Sequence, residues 1–442
     1  MRPIWIGVFA GTVLAVGSLV MTLDEVRGDA AKPPLKAIDI AGAGTIVDVL
    51  TAAKTIEKSP GPGPGQGPGQ GEEPPVRTRS AEEATLAGVD WLASVQGNNG
   101  GWGQDGGETS FVRVGENLES NGNDLANTAV AVLALVEAGH TPHSGKHSAV
   151  VQRGLEFVLH QVEESPKEGL AVSSITGSQI QRKLGPYIPT FLTARLLAEI
   201  DGEMKDPKLN KRIHAGLEKC VRKIEQNQES DGSWNVSGGW APILGTSIAS
   251  RSLAIAKDKK VEVSEMVMAK VDNYTKRSAK AVAAPVAAAR ASGLGGGFSS
   301  REVESALAAD SSSAGVALYK GAQVLEQLSR TEEDREKNAD EIAAISGQIA
   351  NGRFVRGFGS MGGEEYFSYL NISDSLRRTG GEEWNAWNGK IKTQLARMQN
   401  DEGSWAGHHC ITGRVAVTSA AVLTLLADAQ PLGDAAILPS SN

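Results

Sequence analysis

Cysteine is scarce in this chain, and so are aromatic residues and clustered positive charge. Its 442 residues hold two cysteines, Cys220 and Cys410. That number rules out a disulfide scaffold and permits at most one bridge. Cys220 falls in a helical pattern beside Leu217 and Val221, and Cys410 in a loop. The two are therefore expected not to be bonded to each other. Formal net charge is −8, with no basic block. Neutralising phosphates takes clustered Lys and Arg, so nucleic acid is excluded as a partner. Aromatics make up 5% of the chain and hydrophobic residues 40%, so the core must come mainly from Ala, Leu and Val. Glycine is the reverse case. Its 52 residues exceed the usual share of about 7%, and they gather in a linker and in a set of repeated turns.

The N-terminus bears on compartment. Arg2 precedes Ile4–Leu23, a run without a charge, and Asp24 and Glu25 follow at once. A secretory apolar region runs about 7–15 residues, whereas a membrane span needs roughly 20. No small-x-small cleavage site closes the run. Residues 1–23 therefore read as an uncleaved signal anchor, with a cleaved signal as the rival. A positive N-terminus inside puts the body outside the cytoplasm, in the periplasm or on the cell surface, with the membrane as a partner. Residues 24–79 read as a disordered linker. Within them Gly61–Gly71 reads GPGPGQGPGQG, a period of two rather than collagen's three, which describes a stiff extended spacer. The folded body is expected over 80–430 and a disordered tail over 431–442.

One pattern recurs along the body of the chain. GVDWLASVQGNNGGWG begins at Gly88, with NDLANTAVAVLALVEAGH behind it at 123–140. GLEKCVRKIEQNQESDGSW begins at Gly216, with LGTSIASRSLAIA behind it at 244–256. GKIKTQLARMQNDEGSW begins at Gly389, with VAVTSAAVLTLLAD behind it at 415–428. Each copy reads as a helix ending at Gln, a Gly-x-Trp turn, and a second apolar helix beginning near a Thr or Ser. GLEFVLHQVEE at Gly154, followed by YIPTFLTARLLAEI, is a copy without its tryptophan. RGFGSMGGEEYFSYLNISDSL, from Arg356, is a further degenerate one.

Leu and Val recur at three- and four-residue spacing, which gives each first helix one buried stripe. Gly supplies turn conformations closed to other residues, the Trp ring covers the helix end, and the Gln side chain reaches orphaned backbone groups. The second helices, richer in Ala, Thr and Ser, are thin enough to crowd around a centre. Roughly five to seven such hairpins predict an all-α fold, an α/α toroid with an inner and an outer layer. An open α-solenoid is the structural rival, and the tryptophan turns favour closure.

QGNNGGW at Gln96–Trp102, QESDGSW at Gln228–Trp234 and QNDEGSW at Gln399–Trp405 resemble the Gln–Trp repeat of squalene–hopene cyclases. The wider prenyltransferase and squalene oxidase repeat superfamily also takes in protein prenyltransferase β subunits and thioester domains of complement type. The resemblance spans about residues 82–430 and implies the toroid. It does not imply the chemistry, because one fold hosts unrelated functions. The cyclases use an Asp-x-Asp-Asp acid, which this chain lacks, and an aromatic pocket, for which 8 Phe, 8 Trp and 5 Tyr are few. Prenyltransferase β subunits hold zinc with Asp-x-Cys and a downstream His. Here Cys410 has His408 two residues before it and no histidine after it. The Gly-Cys-Gly-Glu-Gln of the thioester domains is also absent.

The stretch DEGSWAGHHCITGR at 401–414 carries the strongest local candidates. His408, His409 and Cys410 read either as loop-bonding side chains or as catalytic or ligand-contacting ones, with His408 promoting the Cys410 thiolate. As a zinc set they would need further donors from Asp401, Glu364, Glu365 or Asp374, and no metal or cofactor is expected. Glu364 and Glu365, ahead of an aromatic run, read as a favoured helix N-terminus or as a cavity general acid. Asp124, with Asn123 and Asn127, reads as a helix cap at the same rim or as a catalytic carboxylate. Trp240, Tyr187, Tyr366 and Arg414 are expected to contact ligand.

Two functions remain open. One is an anchored toroid that binds an apolar or peptide ligand in a central cavity. The other is an enzyme, either a noncanonical isoprenoid cyclase or transferase or a polysaccharide lyase or hydrolase on a similar barrel. Aromatics lining the cavity favour isoprenoids, whereas carboxylates and Arg favour polysaccharide.

Overall fold

Two kinds of helix alternate along the chain, and burial tells them apart. In the computed structural model, residues 79–107, 122–234, 242–275, 277, 316–349, 362–408 and 411–429 are described. They all fall in the unit Pro75–Asn442. The anchor run Ile4–Leu23, linker residues 24–78 and the tail 431–442 lie outside the described residues, as do Trp240, His409 and Cys410.

The helices are α1 (Ala81–Ser94), α2 (Leu125–Glu137), α3 (Ser148–Glu164), α4 (Gln179–Leu184) and α5 (Ile188–Ile200), then α6 (Pro207–Gln226) and α7 (Pro242–Asp258). They continue with α8 (Val316–Leu328), α9 (Glu332–Lys337), α10 (Ala339–Ile349), α11 (Gly363–Thr379), α12 (Gly381–Met398) and α13 (Arg414–Leu425). Residues 265–275 are helical as well. The described residues include no strand, only isolated bridges such as Trp102 with Asp124. The fold is all-α. Among the described residues no helix is long and apolar enough to cross a membrane.

One kind of helix is buried on every side. α2 buries Leu125 through Leu135 without a break, α13 buries Val415 through Leu425, and α5 buries every residue except Glu199. The other kind buries a stripe. α3 covers Val151, Gly154, Leu155, Val158, Leu159 and Val162, and α12 covers Trp387, Ile391, Leu395 and Ala396. That is the three-and-four spacing read from the sequence, and each such Leu or Val contributes about 1.5–3 kcal/mol on burial. The inner helices pack in the order α2, α5, α7, α8, α11, α13, and α13 packs back on α2. The striped helices cover them: α1 on α13 and α2, α3 on α2, α6 on α5, α10 on α8, and α12 on α11.

The three Gln–Trp turns are built alike. The indole N–H of Trp102 donates to Leu92 O, that of Trp234 to Ile224 O and that of Trp405 to Leu395 O, at 2.7–2.8 Å. At Leu92 and Leu395 this satisfies a carbonyl that the helix end leaves orphaned, and at Ile224 it adds to a long bond of 3.4 Å from Asn227 N. The backbone N–H groups of the same tryptophans donate to Thr128, Thr246 and Thr418 hydroxyls on the following buried helix. Here the structure adjusts the sequence reading, because Gln lies one or two residues beyond the helix rather than at its end. From there its amide reaches two carbonyls. Gln96 donates to Gly100 O and Val150 O, Gln228 to Gly232 O and Val267 O, and Gln399 to Gly403 O and Ala84 O. Every second bond goes to the next outer helix, and the last one returns to the first. Arg79 strengthens that seam by donating to Gln399 Oε1, Asn400 O and Asp401 O.

The copy without tryptophan uses a different device. Leu170 stands in the Trp position, and Thr190 Oγ1 donates to its carbonyl at 2.8 Å. Lys219 and Lys223 of α6 reach back to the carbonyls of Val162, Glu163, Ser165, Glu168, Gly169 and Ala171. Two ammonium groups do what a Gln amide and an indole do elsewhere.

Candidate functional site

The loop before α13 meets several other loops. Ile411 N donates to Glu364 Oε2 at 3.4 Å, and Thr412 N and Gly413 N donate to Gln179 Oε1 at 3.0 and 2.8 Å. Arg414 donates to Asp105 Oδ1 from its backbone N at 3.1 Å and from Nε at 3.3 Å, and its guanidinium lies 5.4 Å from the centre of the Trp91 ring. The starts of α4, α11 and α13 and the turn after Trp102 therefore gather together.

Within this gathering the residues singled out from the sequence separate. His408 is exposed, and among the described residues no carboxylate lies within its hydrogen-bond reach. Asp124 caps α2, with Oδ1 accepting from Asn127 N at 3.0 Å and Oδ2 from Asn127 Nδ2 at 2.7 Å. Burial pushes its carboxyl up to about 6. Tyr187 precedes α5, half-buried against the core. Glu364 is buried, with Oε1 unpartnered beside the bonded Oε2.

Glu365 faces another way. On a helix, residues four apart share a side, so Glu365 lies over Tyr369, whose ring is 6.0 Å from that of Trp387 on α12. It belongs to the layer between α11 and α12, together with Tyr366, whose ring is 6.1 Å from that of Tyr369. Both Glu365 carboxylate oxygens are buried without a partner. Burial, and then the neighbouring Glu364, push its carboxyl up to about 8.

A second constellation lies toward the other ends of the buried helices. Arg195 of α5 donates to Asp374 Oδ2 of α11 at 2.7 Å, the two side chains being 3% and 4% exposed. These helices are not neighbours in the packing order, so the pair bridges between opposite members of it. Arg378 pairs with Glu326 of α8 at 2.6 Å. Burial opposes the charge on Glu326, yet Arg378, Arg251 and Arg330 hold its carboxyl below the usual range. Burial, and then Glu199, push the half-buried Glu137 carboxyl of α2 up to about 7. Apart from Asp374, which the sequence offered only as a further zinc donor, these groups were missed from the sequence, although a signal exists. Each is a charge inside an otherwise apolar inner helix: Arg195 in FLTARLL, Asp374 in NISDSL and Glu326 in VLEQL.

Among the described residues no group of three or more His, Cys, Asp or Glu could hold a metal ion. Cys220 is free and fully buried, and burial pushes its thiol up to about 12, which leaves it inert as a nucleophile.

No family model matches the chain, and no solved structure matches it. A stretch of 71 residues is 37% identical to squalene–hopene cyclase of Bradyrhizobium diazoefficiens, covering 16% of this chain and 10% of that protein. The chain thus spans about a tenth of the length of the curated relative it matches. On an all-α body, that likeness reaches as far as a cyclase-like helical fold.

Proposed function

We propose that the chain is an α/α toroid held outside the cytoplasm by its N-terminal apolar run, serving as a binding module for a polar ligand rather than as a polyprene cyclase. The observation that carries this reading is the Arg195–Asp374 ion pair. A chamber that folds a hydrocarbon chain is dry and apolar. Desolvating a charge pair inside one costs several kcal/mol per ion unless it is fully hydrogen-bonded. Buried charges drawn from α5, α8 and α11 favour a polar or peptide ligand over an isoprenoid.

The cyclic packing order and the return bond from Gln399 to Ala84 O support the toroid. Arg2, the uncharged run Ile4–Leu23 and the acidic flank support the anchor. The missing Asp-x-Asp-Asp supports a body without cyclase chemistry.

An enzyme acting on polysaccharide is the second reading, and one observation favours it. Glu137 and Glu199 lie within electrostatic range of each other, and one of them is held near neutrality, as an acid–base pair on a sugar requires.

The test uses the full chain in detergent. Incubation with squalene, followed by gas chromatography with mass detection, is expected to yield no cyclised product, and a hopanoid product would sink the proposal. In thermal melts farnesol is expected to leave the midpoint unchanged. A saturable shift with farnesol would return the apolar reading to first place.

A further inference from the structure

Pairing the buried charges leaves a remainder. Arg195 takes Asp374, Arg378 takes Glu326, and Arg330 takes Asp272. Arg251 and Arg377 are left, and among the described residues neither finds a carboxylate within ion-pair distance. The Nε of Arg251 is buried and donates to nothing, as does Nη1 of Arg378. Arg251 lies within electrostatic range of both Arg377 and Arg378. Burial comes first among the causes that hold these two guanidinium groups below their usual value, and Arg251 adds to it.

Helix dipoles explain part of this placement. Arg377 and Arg378 occupy the last turn of α11, where cations suit exposed carbonyls. They do not explain Arg251, which sits in the body of α7, a turn and more before its end at Asp258. Arg251 of α7 and Arg378 of α11 converge on one buried carboxylate, Glu326, and with Arg377 in range of Arg251 they keep donors to spare. The other acids in range do not absorb them: Asp374 is committed to Arg195, and Asp428 to Lys392. Glu137 stands nearer α2 and α5 and carries only part of a charge near neutral pH.

We infer that Arg251, Arg377 and Arg378 form a binding site for an oxyanion at the carboxyl-terminal end of the inner helices, taking the carboxylate, sulfate or phosphate of a small polar ligand. A guanidinium offers a planar fork that matches two oxygens at once, and among the described residues nothing takes the fork of Arg251 or Arg377. All three residues keep part of their surface exposed, Arg378 only 11% of its side chain. The site deepens the polar-ligand reading and rests on it for ligand class. Its residues lie outside the Arg195–Asp374 pair that carries that reading.

The experiment is a thermal melt of the full chain in detergent with sodium sulfate, sodium phosphate or a galacturonate trimer, against sodium chloride at equal ionic strength. At least one probe is expected to raise the midpoint saturably. Arg251→Gln and Arg377→Gln should each weaken that response roughly tenfold or more, as loss of a charge-assisted bond implies. Without any anion Arg377→Gln should melt at or above the wild type, because it removes a neighbour that repels Arg251, whereas Arg251→Gln also withdraws a cation from Glu326 and is read on its anion response alone. A response to the trimer alone assigns the site to sugar acids, and an equal response to all three assigns it to oxyanions at large. The inference is overturned if no probe acts beyond chloride, or if the variants keep the full response. A cyclised squalene product would sink the polar-ligand reading while leaving the anion response in place, so the two failures are distinguishable.

Discussion

Arg195 Nη2 lies 2.7 Å from Asp374 Oδ2, and the pair joins two inner helices, α5 and α11, that are not neighbours in the packing order. Arg195→Met would strand a buried carboxylate and is expected to cost about 3–5 kcal/mol in urea unfolding. The double variant Arg195→Met/Asp374→Leu removes both charges and should recover most of that loss. Equal losses in the single and double variants would show that the ion pair is not what matters there.

The indole bonds offer an internal replicate. Trp102→Phe, Trp234→Phe and Trp405→Phe each remove the same donor from an equivalent carbonyl. Each is expected to lose about 1–3 kcal/mol, the usual cost of a buried group left unpaired. Widely unequal values in denaturant titration would mean that the turns are alike in geometry and not in energy.

Two glycines should respond in opposite directions. Gly403 has φ +99°, and a Cβ there would come within 2.5 Å of Ala87 O, a backbone atom of the first outer helix. Gly403→Ala is expected to destabilise by more than about 2 kcal/mol, through strain and clash together. Gly389 lies within α12 with nothing near its Cβ position, so Gly389→Ala should stabilise by about 0.5–1 kcal/mol. Melting temperatures of the two variants decide both points.

Glu365 predicts a pH dependence of known sign. Its carboxyl titrates near 8 in the folded chain, above the ordinary value of 4.5. Between those values the folded state holds a proton that the unfolded state has lost, so this group's stabilisation is full below about 4.5 and falls as pH rises through about 8. Glu365→Gln keeps the shape and removes the titration. It should be neutral at pH 5 and stabilising at pH 9, on the order of a few kcal/mol. Parallel stability curves for variant and wild type would refute the assignment.

Local features were legible in the sequence, and meetings between distant ones were not. A Gln, a positive-φ Gly and a Trp within seven residues make a turn whose bonds are nearly all short-range, so the pattern declares itself. The reach of the Gln amide to the next outer helix is invisible in a single copy, because its acceptor lies in another hairpin. Arg195 and Asp374 are separated by 179 positions, and only the packing order of the inner helices makes them partners. The Glu364–Glu365 pair was legible as a helix start. Which of the two faces the outer layer depended on helical register against Tyr369 and Trp387. His408 looked promising by composition, yet its neighbours in sequence, Gly407 and Ile411, are what bury against α11.

The bond from Gln399 to Ala84 O spans 315 positions, which has a kinetic consequence. A stacked array can begin folding from any repeat and grow outward, but the outer layer here is complete only when the last hairpin meets the first. A nascent chain short of α13 keeps the edges of α1 and α2 uncovered, and that surface is available for wrong associations. A closing contact of that separation pays a large loop-closure entropy, so the final folding phase should be slow compared with that of helical bundles of similar stability.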